Sequence, residues 1–297
     1  MTERIGFAGV GLMGHGMAKN LLEKGFPLTV LGHRKREAVE DLKARGATEA
    51  GSARELAEAS DIVVLCVTGS PQVRAIVEGP DGLAAAGRKL LVIDCSTSEP
   101  SVTTALAASL AEHGITFIDA PLSRTPKEAW AGTLDVMVGG AEADVARARP
   151  VLEAFAGRIV ETGPVGTGHM MKLLNNFVSL GYAALYAEAL SLGAKAGVTA
   201  QTFFGVIGGG RMDCPFFQTF FEYVVGHNPE AHKFTLSNAL KDLTYLSSFA
   251  GASATANPVN SAVRNSFALA VGLGHADGYV PTLADIIAQT NGLPPPR

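Results

Sequence analysis

Short apolar runs alternate with longer stretches of helical spacing over the first half of the chain. Continuous apolar runs are typical of strands that helices cover on both faces, and their alternation with helices is typical of a parallel, doubly wound α/β sheet. The strand candidates are Ile5–Gly9, Leu28–Leu31, Ile62–Val67, Leu90–Asp94, Ile115–Asp119 and Leu134–Val138. The helical candidates between them include Leu12–Lys24, Arg36–Ala44 and Pro100–His113. The pattern predicts one α/β domain over residues 1–165.

The pattern changes near residue 165, after which no convincing strand is found. Residues 166–297 are predicted to form an all-helical domain for substrate and subunit contacts. The helical candidates are His169–Ala196, Ala200–Gly208, Leu236–Phe249, Asn260–Gly272 and Leu283–Gln289. The first of these is apolar around much of its circumference, so most of its surface must be covered. We expect a second subunit to help cover it, in a homodimer or homotetramer. A helix wedged between the two domains of one chain is the alternative.

Composition and charge narrow the class of protein. The chain has 297 residues, of which 47% are hydrophobic and 18% charged, and this suits two domains of ~150 residues better than disorder. A net charge of −4 argues against a nucleic-acid partner, because phosphate binding needs a clustered basic face. No apolar run reaches the ~20 residues of a bilayer span, so no membrane partner is expected. The start, Met-Thr-Glu-Arg, is unlike a signal peptide.

Cysteine and histidine usage gives no sign of a metal site. Cys66, Cys95 and Cys214 are scattered, and the seven histidines show neither HxH nor HExxH spacing. An odd, scattered set of cysteines suits a reducing compartment. We therefore expect a cytoplasmic protein without a bound metal.

A glycine-rich turn follows the first predicted strand. Gly9, Gly11 and Gly14 have GxGxxG spacing, and an amphipathic helix follows them. In a Rossmann domain the first glycine permits the turn, the second lets a pyrophosphate approach, and the third lets the helix pack on the strand. The helix N-terminus also attracts phosphate. These glycines, with Leu12 and Met13 between them, are predicted to bind a dinucleotide, and a turn without a ligand is the alternative.

The end of the second predicted strand bears on the type of cofactor. NAD-binding folds place an acidic residue there to hold the ribose 2′-hydroxyl, but this chain has His33 and Arg34 and no carboxylate before Glu37. A cationic site suits a 2′-phosphate, so NADP is preferred over NAD, with Arg34 the best candidate for planar contact. Further candidate cofactor contacts follow later strands, and they are Val67, Thr68 and Thr97.

Two polar residues stand on one face of the long predicted helix. Lys172 and Asn176 are four residues apart in an otherwise apolar stretch that a glycine-rich segment precedes. A lysine there is costly unless it has a partner or a task. We interpret Lys172 as the general acid and base and Asn176 as a substrate contact. A lysine that reaches solvent from the helix start is the alternative.

A second polar segment follows the strand that ends at Asp119. Ser123, Arg124 and Thr125 offer hydroxyl and guanidinium donors at the carboxyl edge of the sheet, where open α/β sheets bind ligands. They are predicted to bind the acid group of a small anionic substrate, although an ordinary polar loop is the alternative. Lys241, next to Asp242, would by itself be interpreted as part of a solvated pair.

Four ordered segments resemble the motifs of the β-hydroxyacid dehydrogenase family. They are GFAGVGLMGHGMAKNL at 6–21, DAPLS at 119–123 with GTLDVMVGG at 132–140, GTGHMMKLLNN at 166–176, and KDL at 241–243. The resemblance implies a Rossmann domain joined to a helical domain and an NAD(P)-dependent oxidoreductase of small β-hydroxy acids or their aldehydes. It further implies a catalytic Lys172, Asn176 and Ser123 on the substrate, and Lys241 near the cofactor.

One position departs from the resemblance. The family usually has Ser-Gly-Gly where this chain has Ser123, Arg124 and Thr125, and sulfolactaldehyde reductase is similar in having an Arg-Thr pair. Reduction of a sulfonated or dicarboxylic semialdehyde, with Arg124 on the second acid group, is therefore an alternative function. A nucleotide-binding scaffold without catalysis is a further alternative, since the fold alone does not establish the chemistry.

Overall fold

The computed structural model of the chain describes residues 2–32 and 36–296, and these form two compact units, Met1–Lys172 and Leu173–Arg297. The strands are β1 Ile5–Ala8, β2 Leu28–Leu31, β3 Thr48–Ala50, β4 Ile62–Leu65, β5 Leu90–Asp94, β6 Ile115–Asp119, β7 Leu122–Ser123, β8 Leu134–Gly139 and β9 Ala156–Gly163. The helices are α1 Gly14–Glu23, α2 Glu37–Ala44, α3 Ala53–Glu58, α4 Ser70–Glu78, α5 Pro100–Ala111, α6 Pro126–Ala131, α7 Glu142–Leu152, α8 Thr167–Lys195, α9 Ala200–Ile207, α10 Pro215–Val224, α11 Leu236–Ala252, α12 Pro258–Gly272 and α13 Leu283–Thr290.

The strands of the first unit form one sheet. Its order is β3-β2-β1-β4-β5-β6, all parallel, and β8 continues it antiparallel to β6. β7 pairs antiparallel and β9 parallel with β8. The order reverses direction between β1 and β4, which is the point where Rossmann folds bind dinucleotides. The predicted α/β sheet is therefore confirmed, and its carboxyl edge is where the candidate cofactor residues must be sought.

The six predicted strands are all present, whereas β3, β7 and β9 were not predicted. The residues of β3 and β9 are mostly exposed or half-buried, so they lack the apolar run that marks a strand covered on both faces. β7 has two residues and is defined only by its pairing with β8, in the register of Ser123 with Asp135. Edge strands of this kind follow from tertiary pairing, which a local pattern does not record.

Two apolar clusters, one on each face of the sheet, hold the first unit together. One is centred on Phe7, Met17 and Leu21, where α1 packs on β1. The other contains Leu56, Val63 and other side chains from β4, β5 and the helices beside them. A fully buried side chain of this size contributes about 1.5–3 kcal/mol relative to an exposed one. The glycine-rich turn is thus anchored at both ends by buried elements.

The second unit is helical, as predicted, and has an aromatic core. Phe217 and Phe221 of α10 lie with their rings 4.4 Å apart between centroids, and Tyr186 of α8 packs edge-on to both. α10 itself was not predicted, although Cys214 caps it and Pro215 occupies its first turn. Its aromatic residues have only middling helix propensity, so the local signal was weak.

The long helix α8 bears on the expectation that no stretch of the chain is long and apolar enough to span a bilayer. It has 29 residues and a mean hydropathy of 1.3 over its most apolar window, so it is long and apolar enough to cross a membrane by those two measures. Core helices of globular proteins pass the same test. Only 33% of that window is buried within the chain, which leaves an apolar face exposed.

The division into two units falls inside α8. The boundary between the two compact units lies between Lys172 and Leu173, within one continuous helix. The sequence pattern placed the domain boundary between residues 165 and 166. The assignment of the cofactor to the first part and of substrate and subunit contacts to the second stays a prediction.

Candidate active site

The glycine-rich turn between β1 and α1 has the shape of a phosphate cradle. Gly9 has φ +104°, and a Cβ atom there would lie 2.2 Å from the carbonyl oxygen of Cys66. A Cβ atom on Gly14 would lie 2.0 Å from the carbonyl oxygen of Gly9. At Gly11, by contrast, a Cβ atom would meet nothing within 4 Å. The fold therefore requires two of the glycines for itself, and the third leaves space for a ligand to approach the backbone.

The sequence between these glycines exposes the entrance of α1. Leu12 is 77% exposed, and Met13 precedes the first residue of the helix without making a side-chain cap. The backbone N–H groups of a helix N-terminus seek acceptors, and a phosphate supplies them. The residues of this turn consequently fit a nicotinamide dinucleotide, because Gly11 leaves the approach to the backbone open.

The other candidate cofactor residues lie at the same carboxyl edge. Val67 and Thr68 follow β4, and Thr97 follows β5, which is the next strand of the sheet. The N–H of Val67 donates to Oγ of Ser96 at 3.0 Å, so the two loops are joined. Thr97 is half-buried and Thr68 exposed. Val67 also lies beside the turn after β1, since its Cγ1 would be 3.0 Å from a Cβ atom on Gly9.

A carboxylate from another strand lies beside the end of β2, where the sequence alone shows none. His33 and Arg34 lie outside the described residues. Glu49 comes from the neighbouring strand β3, and its Oε1 would lie 2.4 Å from a Cβ atom on Gly32. Arg36 binds this carboxylate at 2.6 and 2.9 Å, and the hydrogen bonds lower the pKa of Glu49 to about 2. The carboxylate is therefore present, but a cation already holds it.

The predicted substrate loop is fixed by contacts of its own. Arg124 has φ +86°, and its Nε donates to Oδ2 of Asp135 at 2.9 Å. This hydrogen bond raises the pKa of the Arg124 guanidinium further, and half of the side chain stays exposed. Thr125 caps α6, and its hydroxyl shares a capping box with Glu128. Ser123 is half-buried on β7.

A buried polar cluster lies at the ends of β5 and β6, and we call Asp94, Asp119 and His169 the carboxylate–histidine cluster. All three residues are fully buried. Asp119 accepts the N–H groups of Gly166 and His169, at 2.6 and 2.7 Å. Burial raises the pKa of Asp119, although His169 and the two N–H groups oppose the shift. Sequence reasoning did not single out His169.

The polar residues of the long helix differ in their surroundings. Lys172, the last residue of the first unit, is half-buried. In the second unit Asn176 is 5% exposed, and its Nδ2 donates to Oδ2 of Asp242 at 2.7 Å. Lys241 is 3.1 Å from Oδ1 of the same carboxylate and lies over the ring of Tyr245. Asp242 thus joins two predicted site residues.

The Lys241–Asp242 pair corrects the interpretation as a solvated pair. Asp242 is only 3% exposed, and 21% of the Lys241 side chain is exposed. In the sequence, the signal for Asp242 was a charged residue at an otherwise apolar helical position.

Among residues 2–32 and 36–296, no three His, Cys, Asp or Glu side chains are grouped so as to hold a metal ion.

Comparison with known proteins decides the family. Residues 4–183 match the family described as the NAD binding domain of 6-phosphogluconate dehydrogenase, and residues 166–280 match that described as NAD-binding of NADP-dependent 3-hydroxyisobutyrate dehydrogenase. The chain is 31% identical to the NAD-dependent L-serine dehydrogenase of Pseudomonas aeruginosa, over 98% of this chain and 99% of that protein. It is 36% identical to the 3-sulfolactaldehyde reductase of Escherichia coli over 63% of each chain.

A solved structure shows the same architecture along the chain. The 3-hydroxyisobutyrate dehydrogenase of Mycobacterium tuberculosis, with L-serine, has a TM-score of 0.84 and 31% identity, over 96% of this chain and 98% of that one. The chain belongs to the β-hydroxyacid dehydrogenase family. The expected family, the α/β sheet with a helical carboxyl-terminal part, and the class of NAD(P)-dependent oxidoreductase acting on CH–OH groups are confirmed.

The backbone angle at Arg124 can be compared with the residue that is usual at this position in the β-hydroxyacid dehydrogenase family. Glycine adopts a φ near +86° without cost, whereas a side chain there strains the backbone. The glycine usual in the family at this position therefore suits the backbone, and this chain keeps the backbone while adding a guanidinium. That substitution places a cationic side chain in the loop predicted to bind the acid group of the substrate.

Proposed function

We propose that the protein interconverts a small β-hydroxy acid and its semialdehyde, with Lys172 as the general acid and base. The observation that carries this proposal is the presence of two features in one chain, a turn at Gly11 that is open to a dinucleotide and a half-buried Lys172 near the start of α8. A half-buried ammonium on an apolar helix has a high cost unless it has a partner or a task, and a proton transfer is a task that suits its chemistry. Fold alone would not support the proposal, because folds host unrelated functions.

The residues divide the work of the reaction. The nicotinamide cofactor supplies hydride transfer to and from the carbon that carries the oxygen. Lys172 donates a proton to the carbonyl oxygen in reduction and accepts it from the hydroxyl in oxidation. Ser123, Arg124, Thr125 and Asn176 hold the acid group, which keeps the reacting carbon within reach. Lys241, anchored by Asp242, contacts the cofactor side of the site.

NADP is the cofactor that the charges favour. Arg34 offers a planar guanidinium to a 2′-phosphate. A carboxylate without cationic partners at this place would suit a ribose hydroxyl, but the carboxylate of Glu49 pairs with Arg36 and Lys43. The second matching family is described as NADP-dependent, and this also supports the preference. The L-serine dehydrogenase of Pseudomonas aeruginosa, to which this chain is similar, is instead described as NAD-dependent.

A second candidate function rests on Arg124. Its Nε is bound to Asp135, and the half-exposed guanidinium presents its other donors for a planar contact with a sulfonate or a second carboxylate. The 3-sulfolactaldehyde reductase relative supports this alternative. Reduction of a sulfonated or dicarboxylic semialdehyde uses the same Lys172 and the same cofactor.

A second copy of the chain is the proposed cover for α8. An exposed apolar stripe runs along this helix within the second unit, and its members are Leu174, Val178, Tyr182, Leu185 and Leu192. Their spacing of three to seven residues places them on one face. A homodimer or homotetramer in the cytoplasm follows as the proposal, and light scattering of the purified protein measures the mass.

A substrate panel tests the proposed function. The purified protein is given 3-hydroxyisobutyrate, L-serine and related hydroxy acids, and separately 3-sulfolactaldehyde and dicarboxylic semialdehydes, each with NADP and with NAD. We expect turnover of at least one member, seen as a change in absorbance of the reduced nicotinamide, with NADP the better cofactor. Tight cofactor binding without turnover across the panel would overturn the proposal and favour a nucleotide-binding scaffold.

A further inference from the structure

The start of α8 lacks a cap of its own. Gly166 precedes the first helical residue with φ +93°, and glycine has no side chain with which to accept the N–H groups of the first turn. Asp119, from the end of β6, takes that part. Its Oδ1 accepts the N–H of Gly166 at 2.6 Å, and its Oδ2 accepts the N–H of His169 at 2.7 Å. A carboxylate from the sheet thus caps the helix that carries Lys172.

The neighbouring glycines show how closely the helix is held against the sheet. A Cβ atom on Gly168 would lie 2.5 Å from the carbonyl oxygen of Met137 and 2.9 Å from Oδ2 of Asp119. A Cβ atom on Gly139, in β8, would lie 2.9 Å from Oδ1 of the same carboxylate. Such approach leaves no room for the first turn of α8 to shift while Asp119 stays in place.

The His169 ring ties the same turn to a second strand. Its Nε2 lies 3.1 Å from the carbonyl oxygen of Ser96, which can only accept, so Nε2 is the donor. Its Nδ1 lies 2.8 Å from the hydroxyl of Thr103 on α5. Asp94 lies 3.7 Å from Nε2 and also accepts the N–H of Ser96. The ring therefore connects α8 to the loop after β5, where Thr97 is a candidate cofactor contact.

We infer that Asp119 and His169 are positioning residues for Lys172, because together they fix the position and rotation of the first turn of α8 against the cofactor edge of the sheet. Lys172 follows His169 by three residues, so it lies on the next turn of the same face. A displacement of about 1 Å at a reacting group can cost on the order of 10²-fold in rate. This inference rests on the proposed role of Lys172.

A double-mutant cycle tests the inference in the full-length protein. Asp119→Asn keeps the shape of the side chain but removes its charge and turns one acceptor into a donor. We expect it to lower kcat by ~10- to 100-fold while the Kd of the cofactor changes by less than about twofold. In a Lys172→Ala background, Asp119→Asn should lower kcat by less than about twofold, because it acts through the missing ammonium.

The matched control is Asp61→Asn. Asp61 is also a carboxylate that accepts a backbone N–H, from Arg4 at 3.1 Å, but it precedes β4 at the opposite edge of the sheet. Its replacement should leave kcat unchanged. Equal effects of the Asp61 and Asp119 variants on kcat, or an Asp119 effect of full size without Lys172, would overturn the inference. Wild-type turnover by the Lys172→Ala variant would instead overturn the proposed function together with it.

His169 supplies a second arm if the Asp119 variant fails to fold. Gln retains a donor for the Ser96 carbonyl, whereas Phe retains only the bulk of the ring. We expect His169→Phe to lower kcat by ~10-fold or more, with circular dichroism like that of the parent, and His169→Gln to restore most of that loss. Equal kcat values for the two variants would show that the bond to Ser96 does not position the helix.

Discussion

Arg124 donates through Nε to Oδ2 of Asp135 at 2.9 Å from a backbone held at φ +86°. Left-handed backbone at a residue with a side chain costs on the order of 1–2 kcal/mol. The cross-strand register of Ser123 with Asp135 places the two partners side by side. A charged side chain is thus kept, at a cost in backbone strain, in the loop proposed to bind the acid group of the substrate.

The variant Arg124→Gly tests whether the Arg124 side chain contributes to substrate specificity rather than to stability. Relief of strain favours the variant, while the greater freedom of glycine in the unfolded chain and the lost exposed pair disfavour it, each by about 1 kcal/mol or less. We expect the free energy of unfolding to change by less than about 1 kcal/mol. The specificity constant for sulfonated or dicarboxylic substrates should fall by tenfold or more relative to monocarboxylates, as steady-state kinetics will measure. Unchanged specificity constants for every substrate would remove Arg124 from the site.

Gly11→Ala tests the phosphate cradle. A Cβ atom there meets no protein atom within 4 Å, so the variant should unfold at the same temperature as the parent. It should weaken cofactor binding by at least tenfold, as isothermal titration calorimetry will show, because the methyl group occupies the approach to the pyrophosphate. Gly14→Ala is the contrast, since its Cβ atom collides with Gly9 at 2.0 Å and should destabilise the fold itself. Parent-like affinity in Gly11→Ala would place the dinucleotide elsewhere.

Lys172→Ala addresses the proton transfer. We expect kcat to fall by ~10²–10⁴, the usual share of a general acid or base, with the cofactor Kd nearly unchanged. Lys195→Ala, at the exposed far end of the same helix, is the matched control and should retain the parent kcat. Stopped-flow measurement of the hydride step distinguishes a chemical defect from slow product release. Normal turnover in Lys172→Ala would contradict the assignment.

Arg34→Ala tests the preference for NADP. Loss of a guanidinium that binds the 2′-phosphate should raise the KM for NADP by tenfold or more and leave that for NAD within about twofold. Arg54→Ala is the control, because Arg54 is an exposed cation that pairs with Glu58 on α3. Equal changes in both KM values would show that Arg34 does not discriminate the two cofactors.

Acid should destabilise the first unit through Asp61. Hydrogen bonds from Arg4 lower the pKa of Asp61 to about 2, below the ordinary value near 3.9. A carboxyl whose pKa is lower in the folded state stabilises the fold above the unfolded pKa, and this contribution is lost as the pH falls from ~4 towards 2. Urea unfolding between pH 5 and pH 3 should therefore show a shallower loss of stability in Asp61→Asn than in the parent. Parallel curves would contradict this.

The sequence indicates most of the fold because the local order of apolar residues in the central strands matches the order of buried residues. The strand Ile62–Leu65 is apolar throughout and is buried throughout, so its run of residues carries the signal. β9 shows the limit, since its residues are mostly exposed or half-buried and its place is set by pairing with β8. α10 shows another limit, because an aromatic-rich stretch becomes a helix through packing on Tyr186.

The candidate site divides in the same way. The glycine turn, Lys172 and Asn176 are visible as motifs, because spacing along one turn or one helix face is a local property. Glu49 beside Gly32 is not visible, since β3 brings it there from another part of the chain. Asp242 could be noticed as part of the KDL segment at 241–243 and as a charge among apolar helical positions, but its bond to Asn176 needed the folded second unit.

By itself the sequence determined six of the strands, the helical character of the second half and the glycine-rich turn after β1, because hydrophobic period and glycine spacing act over a few residues. The tertiary structure alone decided which distant groups meet. It placed Asp119 under the N–H groups of Gly166 and His169 and Asp135 against Arg124, because hydrogen bonds between residues far apart in the chain depend on strand order and register.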